Sequence, residues 1–308
     1  MTQKIKKTNS SAPAHKPVLM KEVLEHLNVQ PRKTYLDVTF GAGGHTRAIL
    51  EQNKTCRVIA MDWDAKALET FGQPLKEEFG DRLELIWGNF SLLYKLIKKH
   101  DIEQLDGILA DFGTSQVQIA GTPGLSVFRD TPLDMRLSTA HQQVTAADIL
   151  NKATEQKLEQ IFFQLGEEPK GRQVARAIIK ARASMKFETT GQLVDVIESV
   201  IPNRGKRSIH PATKVFQALR IYINHELDNI QAFLPAAIKA LVPEGRLVCI
   251  SFHSLEDRLV KHYFQEQEQL GIIEVVTKKA ITASDEELAE NASARSAKLR
   301  VAQKNLKK

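Results

Sequence analysis

The chain has 308 residues, 42% hydrophobic and 26% charged, a composition typical of a globular protein with one large domain or one domain carrying a smaller one. Lys and Arg outnumber Asp and Glu by 43 to 37, and this net charge of +6 indicates a polyanionic partner only weakly. The lysine-bearing N-terminus has no apolar segment behind it, and no apolar run approaches the ~20 residues that span a bilayer. We therefore expect a cytoplasmic protein without a membrane contact.

The first third of the chain alternates predicted strands with predicted helices. Residues 1–14 are polar and are expected to form a disordered basic tail. Continuous apolar strands separated by helices indicate a parallel sheet covered on both faces. The first four predicted strands are Tyr35–Phe40, Arg57–Asp62, Leu83–Trp87 and Asp106–Asp111.

The alternation stops after the fourth strand. Residues 113–144 look like a long loop, residues 145–201 predict three helices, and a long amphipathic helix follows that Pro235 should kink or restart. Strands resume at Gly245–Ser251, and the last of two final strands is expected to be antiparallel. We therefore predict an inserted helical domain over 114–212. The flanking segments 15–113 and 213–308 form the α/β domain around it.

A glycine-rich turn after the first strand predicts a nucleotide site. Gly41, Gly43 and Gly44 allow a ligand to approach the backbone, and the N-terminus of the following helix favours electron-rich groups. Asp62, at the end of the second strand, can accept both hydroxyls of a ribose, although an acid there can also cap the next helix.

The residue after this turn argues against a dinucleotide. Thr46 stands where a dinucleotide fingerprint has its third glycine, so a ligand without a pyrophosphate, such as S-adenosylmethionine, fits better than NAD. Asp37, inside the first strand, is a candidate to meet the cationic amino group of such a ligand.

Two further strand ends carry candidate catalytic residues. Asp111 ends the fourth strand, where it can contact the cofactor or the nucleophile, or simply cap a turn. His253 follows the fifth strand, and a catalytic role and a structural role are equally open. Ser254 with Asp257 resembles a capping box and is expected to be structural.

The predicted insertion holds most of the surplus positive charge. Ten Lys or Arg stand against five Asp or Glu between residues 167 and 214. A phosphate-binding face and a merely solvated face both fit this pattern. The candidate RNA-contacting residues are Arg172, Arg176 and Lys180 on one helix face and Arg204, Lys206 and Arg207 in a basic loop.

Several longer motifs resemble the bacterial MraW/RsmH family over about residues 15–301. The motifs are Gly41–His45, Pro132–Arg136, Gly166–Glu168, His210–Thr213, Phe216–Ile221, Ser251–Arg258 and Arg295–Arg300. The resemblance implies a class I methyltransferase fold, Rossmann-like with seven mostly parallel strands and an antiparallel last one. It also implies an S-adenosylmethionine-dependent enzyme that methylates the exocyclic N4 of a cytidine in 16S ribosomal RNA of the small subunit, in the decoding region.

The resemblance implies a set of cofactor contacts, with Phe90 beside the adenine. They are Gly43, Gly44, His45, Asp62, Phe90, Asp111 and Gln118. No metal ligand is predicted, and whether a metal assists is left open. The chain departs from the family pattern at residues 115–117 and in Pro123–Val127, where an arginine and two aromatic residues are missing. A non-catalytic RNA-binding assembly factor and, less favoured, an NAD-dependent dehydrogenase stay open as alternatives. The oligomeric state is not predicted.

Overall fold

A seven-stranded sheet organises the chain in the computed structural model, which describes residues 16–113, 119, 121–202 and 209–306. The predicted disordered tail, 1–14, lies outside these ranges. The strands are β1 (Thr34–Asp37), β2 (Arg57–Asp62), β3 (Leu83–Trp87), β4 (Leu105–Asp111), β5 (Leu241–Ser251), β6 (Ile273–Val275) and β7 (Lys298–Lys304).

The helices before the insertion alternate with these strands. They are α1 (Met20–Leu27), α2 (Gly44–Gln52), α3 (Ala65–Ala67), α4 (Gln73–Phe79) and α5 (Leu93–Lys99), with a π turn at Leu68–Gly72 and 3₁₀ turns at Gly80–Arg82 and Phe90–Leu92. Those that follow β4 are α6 (Ala146–Lys152), α7 (Glu155–Gln164), α8 (Gly171–Ala181), α9 (Thr190–Val200), α10 (Thr213–Asn224), α11 (Glu226–Ala240), α12 (Ser254–Gln269) and α13 (Asp285–Glu290), with a 3₁₀ turn at Ala292–Ser296.

The strand order is β3-β2-β1-β4-β5-β7-β6. Strands β1 to β5 pair in parallel, and β7 is antiparallel to both β5 and β6. The predicted mostly parallel sheet with an antiparallel last strand is therefore confirmed. Apolar clusters cover both faces of the sheet, which explains why the parallel strands are apolar throughout rather than alternating.

The inserted region has its own apolar core, built from Leu158, Phe162, Ile178 and Leu193 with neighbouring residues. In the described residues it contains four helices, α6 to α9, where the sequence predicted three over 145–201. The structure has one helix more because the short α6 ends after seven residues, and Ala153 leaves the helical conformation before α7 starts at its Thr154 cap.

This core extends beyond residue 212, the predicted end of the insertion. Helix α10 contributes Phe216, Leu219 and Ile223 to the same cluster as the inserted helices. The division into two domains stays a prediction, but α10 packs with the helical part rather than with the sheet.

The break in the long amphipathic segment lies at His225 and not at Pro235, so the predicted position was wrong. His225 adopts a left-handed conformation with φ 51° between α10 and α11, whereas Pro235 lies inside α11. The fully buried Asn224 explains this position, because it donates to the carbonyl of Met135 and accepts from the amide of Leu137. These bonds tie the helix end to the loop before α6.

Candidate active site

A cavity opens at the carboxyl ends of the central parallel strands, where ligands bind in open α/β sheets. It is formed by the ends of β1, β2 and β4, the segment after β5, and the first turns of α11 and α12. Polar residues lining it include Gly41, His45, Asp62, Asp111, Glu226, Asn229, Glu256 and Ser293.

The turn after β1 requires glycine at several positions. Gly41 and Gly43 have φ of 54° and 77°, the left-handed region that glycine adopts without strain. A Cβ on Gly43 would lie 2.7 Å from the ring of Phe40, and one on Gly44 would lie 2.1 Å from Pro17 Cγ. Close packing as well as backbone conformation therefore requires glycine here.

Asp62 closes β2 and is 5% exposed. Its Oδ2 accepts the amide of Gly41 at 2.7 Å, and its Oδ1 accepts the amide of Asp64 at 2.9 Å. Burial raises the pKa of this carboxyl to about 6, and the two backbone donors oppose that rise. The residue therefore ties β2 to the glycine turn while its carboxylate lines the cavity.

Asp37 lies beneath the cavity and is not one of its lining residues. It is 1% exposed, and its carboxylate accepts the hydroxyl of Thr46 at 2.7 Å and the amide of Thr39 at 3.1 Å. Burial raises its pKa. A direct contact of Asp37 to a ligand amino group therefore finds no support, and a contact through water stays a prediction. Thr46 anchors a buried carboxyl where a dinucleotide site has glycine.

His45 is a buried side chain at this cavity whose ring nitrogens are available to a polar ligand. It is 6% exposed, lines the cavity, and neither of its ring nitrogens has a hydrogen-bond partner in the described part of the chain. Its Nε2 lies 3.6 Å from Oδ2 of Asp111. Buried polar groups are nearly always hydrogen-bonded, so this ring fits a site that a polar ligand completes.

Asp111 caps a turn and lines the cavity, while its contact to the cofactor or to the nucleophile stays a prediction. Its Oδ1 accepts the amide of Gly113 at 3.2 Å, which caps the turn, and its side chain lines the cavity beside His45. Its own amide donates to the Thr39 hydroxyl at 2.7 Å, which fixes the end of β4 against β1.

His253 lies outside the cavity lining, whereas its neighbours Phe252 and Glu256 line it. The predicted capping pair Ser254 and Asp257 was wrong: His253 is the N-cap of α12, and Glu256 closes the capping box. Asp257 instead forms an ion pair with Arg300, with Oδ1 2.6 Å from the guanidinium Nε.

Aromatic rings line the side of the cavity near β2 and β3. Phe90 packs against Phe112 and Phe233, with ring centroids 5.8 and 5.5 Å away, and lines the cavity together with Trp63. Sequence reasoning missed Trp63, although its position directly after the acid that ends β2 was an available signal.

The predicted basic face on α8 is partly neutralised. Arg176 pairs with Glu155 at 3.0 Å, and Arg172 lies 3.9 Å from Glu159, both acids being on α7. Lys180 is exposed at the end of the same face. The remaining candidates Arg204, Lys206 and Arg207, and the cofactor candidate Gln118, lie outside the described residues.

Comparison with known proteins identifies the chain. The model of the MraW methylase family matches residues 12–305, nearly the whole length. The chain belongs to the MraW methylase family. The resemblance inferred from the motifs is thereby confirmed, and with it the enzyme class, a methyltransferase, and its methyl donor, S-adenosylmethionine.

Relatives that carry the name "Ribosomal RNA small subunit methyltransferase H" match over nearly their whole length. The protein of Sulfurihydrogenibium sp. is 43% identical, with 93% of this chain and 98% of the relative covered. That of Sinorhizobium medicae is 46% identical, covering 93% and 86%, and that of Carboxydothermus hydrogenoformans 40%, covering 94% and 98%. An rRNA methylase structure from Streptococcus thermophilus has 10% identity and a TM-score of 0.45, covering 94% and 98%, too low to support a conclusion.

The cavity of this MraW methylase family member suits its methyl donor. Asp62 offers carboxylate oxygens to a ribose, Phe90 and Trp63 offer apolar surface to a base, and His45 offers unfilled ring nitrogens. The strand order, with β7 antiparallel, is the class I methyltransferase arrangement that the resemblance implied. No helix among the described residues is both long and apolar enough to cross a membrane.

The sequence did not point to the polar cluster on the β5 side of the cavity. Glu226 accepts two hydrogen bonds from Arg220, at 2.8 and 3.0 Å, and Glu256 lies close to it. In the sequence, Glu226 looks like an ordinary acid at a helix start, and only the break at His225 turns it toward the cavity.

Proposed function

We propose that this protein transfers the methyl group of S-adenosylmethionine to the exocyclic N4 of a specific cytidine in 16S rRNA of the small ribosomal subunit. The observation that carries this proposal is the 40–46% identity to small-subunit rRNA methyltransferases over almost the whole chain. Its substrate is made and assembled in the cytoplasm, where we expect the protein to act.

The cofactor half of the cavity binds and orients the donor. Asp62 accepts the ribose hydroxyls, and Phe90 and Trp63 flank the adenine. His45, in the first turn of α2, and Asp111, at the end of β4, face the methionine part. When bound, the donor supplies a methyl group made electrophilic by a positively charged sulfur.

The protein's remaining task is alignment. The cytosine amine must approach in line with the methyl–sulfur bond, so the catalytic contribution is largely positional. The amine lone pair is delocalised into the ring, and an acceptor for its hydrogens helps to localise it on nitrogen. The base must also be unpaired or flipped out to reach the cavity. Asp111 is one candidate acceptor at this end of the cavity.

Transfer of isotope-labelled methyl groups to unmethylated small subunits tests this function. We expect label in 16S rRNA and, by mass spectrometry of nuclease digests, a single N4-methylated cytidine. Free 16S rRNA in a parallel reaction distinguishes naked RNA from the assembled subunit as the substrate. Absence of label, under conditions where a relative of this family transfers it, would favour a non-catalytic assembly factor.

A further inference from the structure

A compact polar cluster occupies the β5 side of the cavity. Ligand atoms of Glu226, His253 and Glu256 all lie within 4.8 Å of one another, and both glutamates line the cavity. The cluster brings together the first residue of α11, which follows α10, and the capping box of α12, which follows β5.

The cluster sits away from the ribose site. Asp62 ends β2, and Glu256 follows β5, three strands further along the sheet. With about 4.8 Å between neighbouring strands, the two positions are about 14 Å apart across the sheet. Asp111, at the end of β4, lies between them. With the ribose at Asp62 and the methionine part at Asp111, as proposed above, the cluster lies beyond the reacting end of the donor, where the methyl acceptor must enter.

Arg220 fixes Glu226 in place. The guanidinium donates through Nε to Oε1 at 2.8 Å and through Nη2 to Oε2 at 3.0 Å, a two-point contact that leaves the carboxylate little freedom to rotate. The side chain of Glu226 is 12% exposed, so it still reaches the cavity surface. Burial opposes the charge on Arg220, but Glu226 and Glu256 hold the pKa of this guanidinium above its ordinary value.

Glu256 carries the second charge of the cluster. Its Oε2 accepts the amides of Phe252 and His253, at 2.7 and 3.3 Å. One arginine therefore faces two carboxylates, and these three side chains together hold one excess negative charge. A cluster with excess negative charge stabilises a neighbouring group that gains positive charge during the reaction.

The ring of His253 indicates that the cluster is incomplete in the protein alone. Its side chain is 9% exposed, and its Nδ1 accepts the amide of Glu256, which in the neutral ring leaves the proton on Nε2. That Nε2 lies 3.1 Å from Oε1 of Glu256 but has no hydrogen-bond partner in the described residues. An unfilled buried donor beside a buried carboxylate is expected where a further polar group joins.

A metal ion is disfavoured as that group. Both oxygens of Glu226 already accept hydrogen bonds from Arg220, and Nδ1 of His253 already accepts the amide of Glu256. A cation would have to displace the arginine. An aromatic amine is neutral before it is methylated and becomes positively charged during the reaction. It can donate a hydrogen bond to the cluster without displacing Arg220 and without needing a lone pair from His253.

We propose that Glu226 is the catalytic acceptor of the cytosine amine and that Arg220 is its positioning residue, an inference that rests on the proposed function. Glu226 accepts a hydrogen bond from the N4 amine before reaction. As the nitrogen–methyl bond forms, the methyl–sulfur bond breaks and sulfur keeps the electron pair. The proton that the nitrogen must release passes to the Glu226 carboxylate and then to solvent.

Binding of RNA with and without the amine tests this assignment apart from turnover. The two RNAs carry either cytidine or the pyrimidin-2-one ribonucleoside, which lacks the amine, at the methylated position. With S-adenosylhomocysteine present, we expect the wild-type protein to bind the cytidine RNA roughly tenfold or more tightly, as for a hydrogen bond to a charged group.

Two variants remove the acceptor in different ways. Glu226→Gln keeps the shape and lowers the preference for cytidine to a few-fold. The double variant Arg220→Met with Glu226→Met replaces the whole ion pair by apolar side chains, which avoids an unpaired arginine, and should abolish the preference. Calorimetry with S-adenosylhomocysteine checks that both variants retain a folded cofactor site.

Asp228→Asn is the matched control, because it removes a negative charge from the same helix at an exposed position. It should keep the full preference. A preference that survives in the double variant, is lost equally in the control, or is absent from the wild-type protein would contradict the assignment. If a chelator abolished the preference for cytidine RNA and Mg²⁺ restored it, the cluster would be a metal site and the assignment of Glu226 as the acceptor would be wrong. Failure of the proposed function is distinguishable, because the wild-type protein would then leave N4 of cytidine unmethylated.

Discussion

The cofactor half of the cavity and the basic face of α8 differ in how their polar groups are used. In the cavity, backbone amides hold Asp62, and the two ring nitrogens of His45 have no hydrogen-bond partner among the residues that the structure describes. On α8, the exposed Arg172 and Arg176 face glutamates of the neighbouring helix. Unfilled buried groups indicate a ligand far more strongly than a surplus of exposed charge, because exposed ion pairs cost little to form or to lose.

Replacing Asp62 by alanine tests the cavity side of this comparison with the largest expected effect. The change removes the carboxylate that we expect to accept the ribose hydroxyls. Affinity for S-adenosylhomocysteine should fall roughly 10- to 100-fold, since hydrogen bonds to a charged group contribute about 1.5–3 kcal/mol. Isothermal calorimetry measures this directly, and a circular dichroism melt controls for folding. Unchanged affinity would remove Asp62 from the donor site.

The pH dependence of donor binding sharpens the same test. Burial raises the pKa of Asp62 to about 6, so the carboxylate is ionised above that pH and protonated below it. Protonation removes the anionic acceptor, and affinity for S-adenosylhomocysteine should therefore fall about tenfold between pH 7.5 and 5.

Asp62→Asn serves as the control for this pH effect. The amide does not titrate, so the variant should bind weakly and with little change over the same range. A wild-type profile as flat as that of the variant would mean that Asp62 does not control donor binding through its charge.

Changes on the basic face should have the smallest effects. Arg176→Gln removes a cation that Glu155 already neutralises, and RNA affinity at moderate salt should change less than about twofold. Lys180→Gln removes an exposed cation at the end of the same face, and should weaken binding a few-fold and reduce the salt dependence by roughly one phosphate contact. Fluorescence anisotropy over a salt series measures the RNA affinity of both variants. Equal losses of affinity would contradict the idea that the ion pair with Glu155 keeps Arg176 from contributing to RNA binding.

The amino-acid sequence by itself determined the sheet and its cofactor edge. The strands β2 and β3 begin and end at the predicted residues, because polar residues on either side of an apolar run mark where a strand starts and stops. The glycine turn and Asp62 could be recognised as candidate ligand-binding residues from the sequence, because each lies directly at the end of a predicted strand.

Only the tertiary structure decided the other side of the cavity. The break at His225 depends on Asn224 bonding a loop almost ninety residues earlier in the chain. The cluster of Glu226 and Glu256 joins α11 to α12 on the β5 side of the cavity. Such contacts depend on how separate elements pack together, and local sequence patterns carry no signal for that packing.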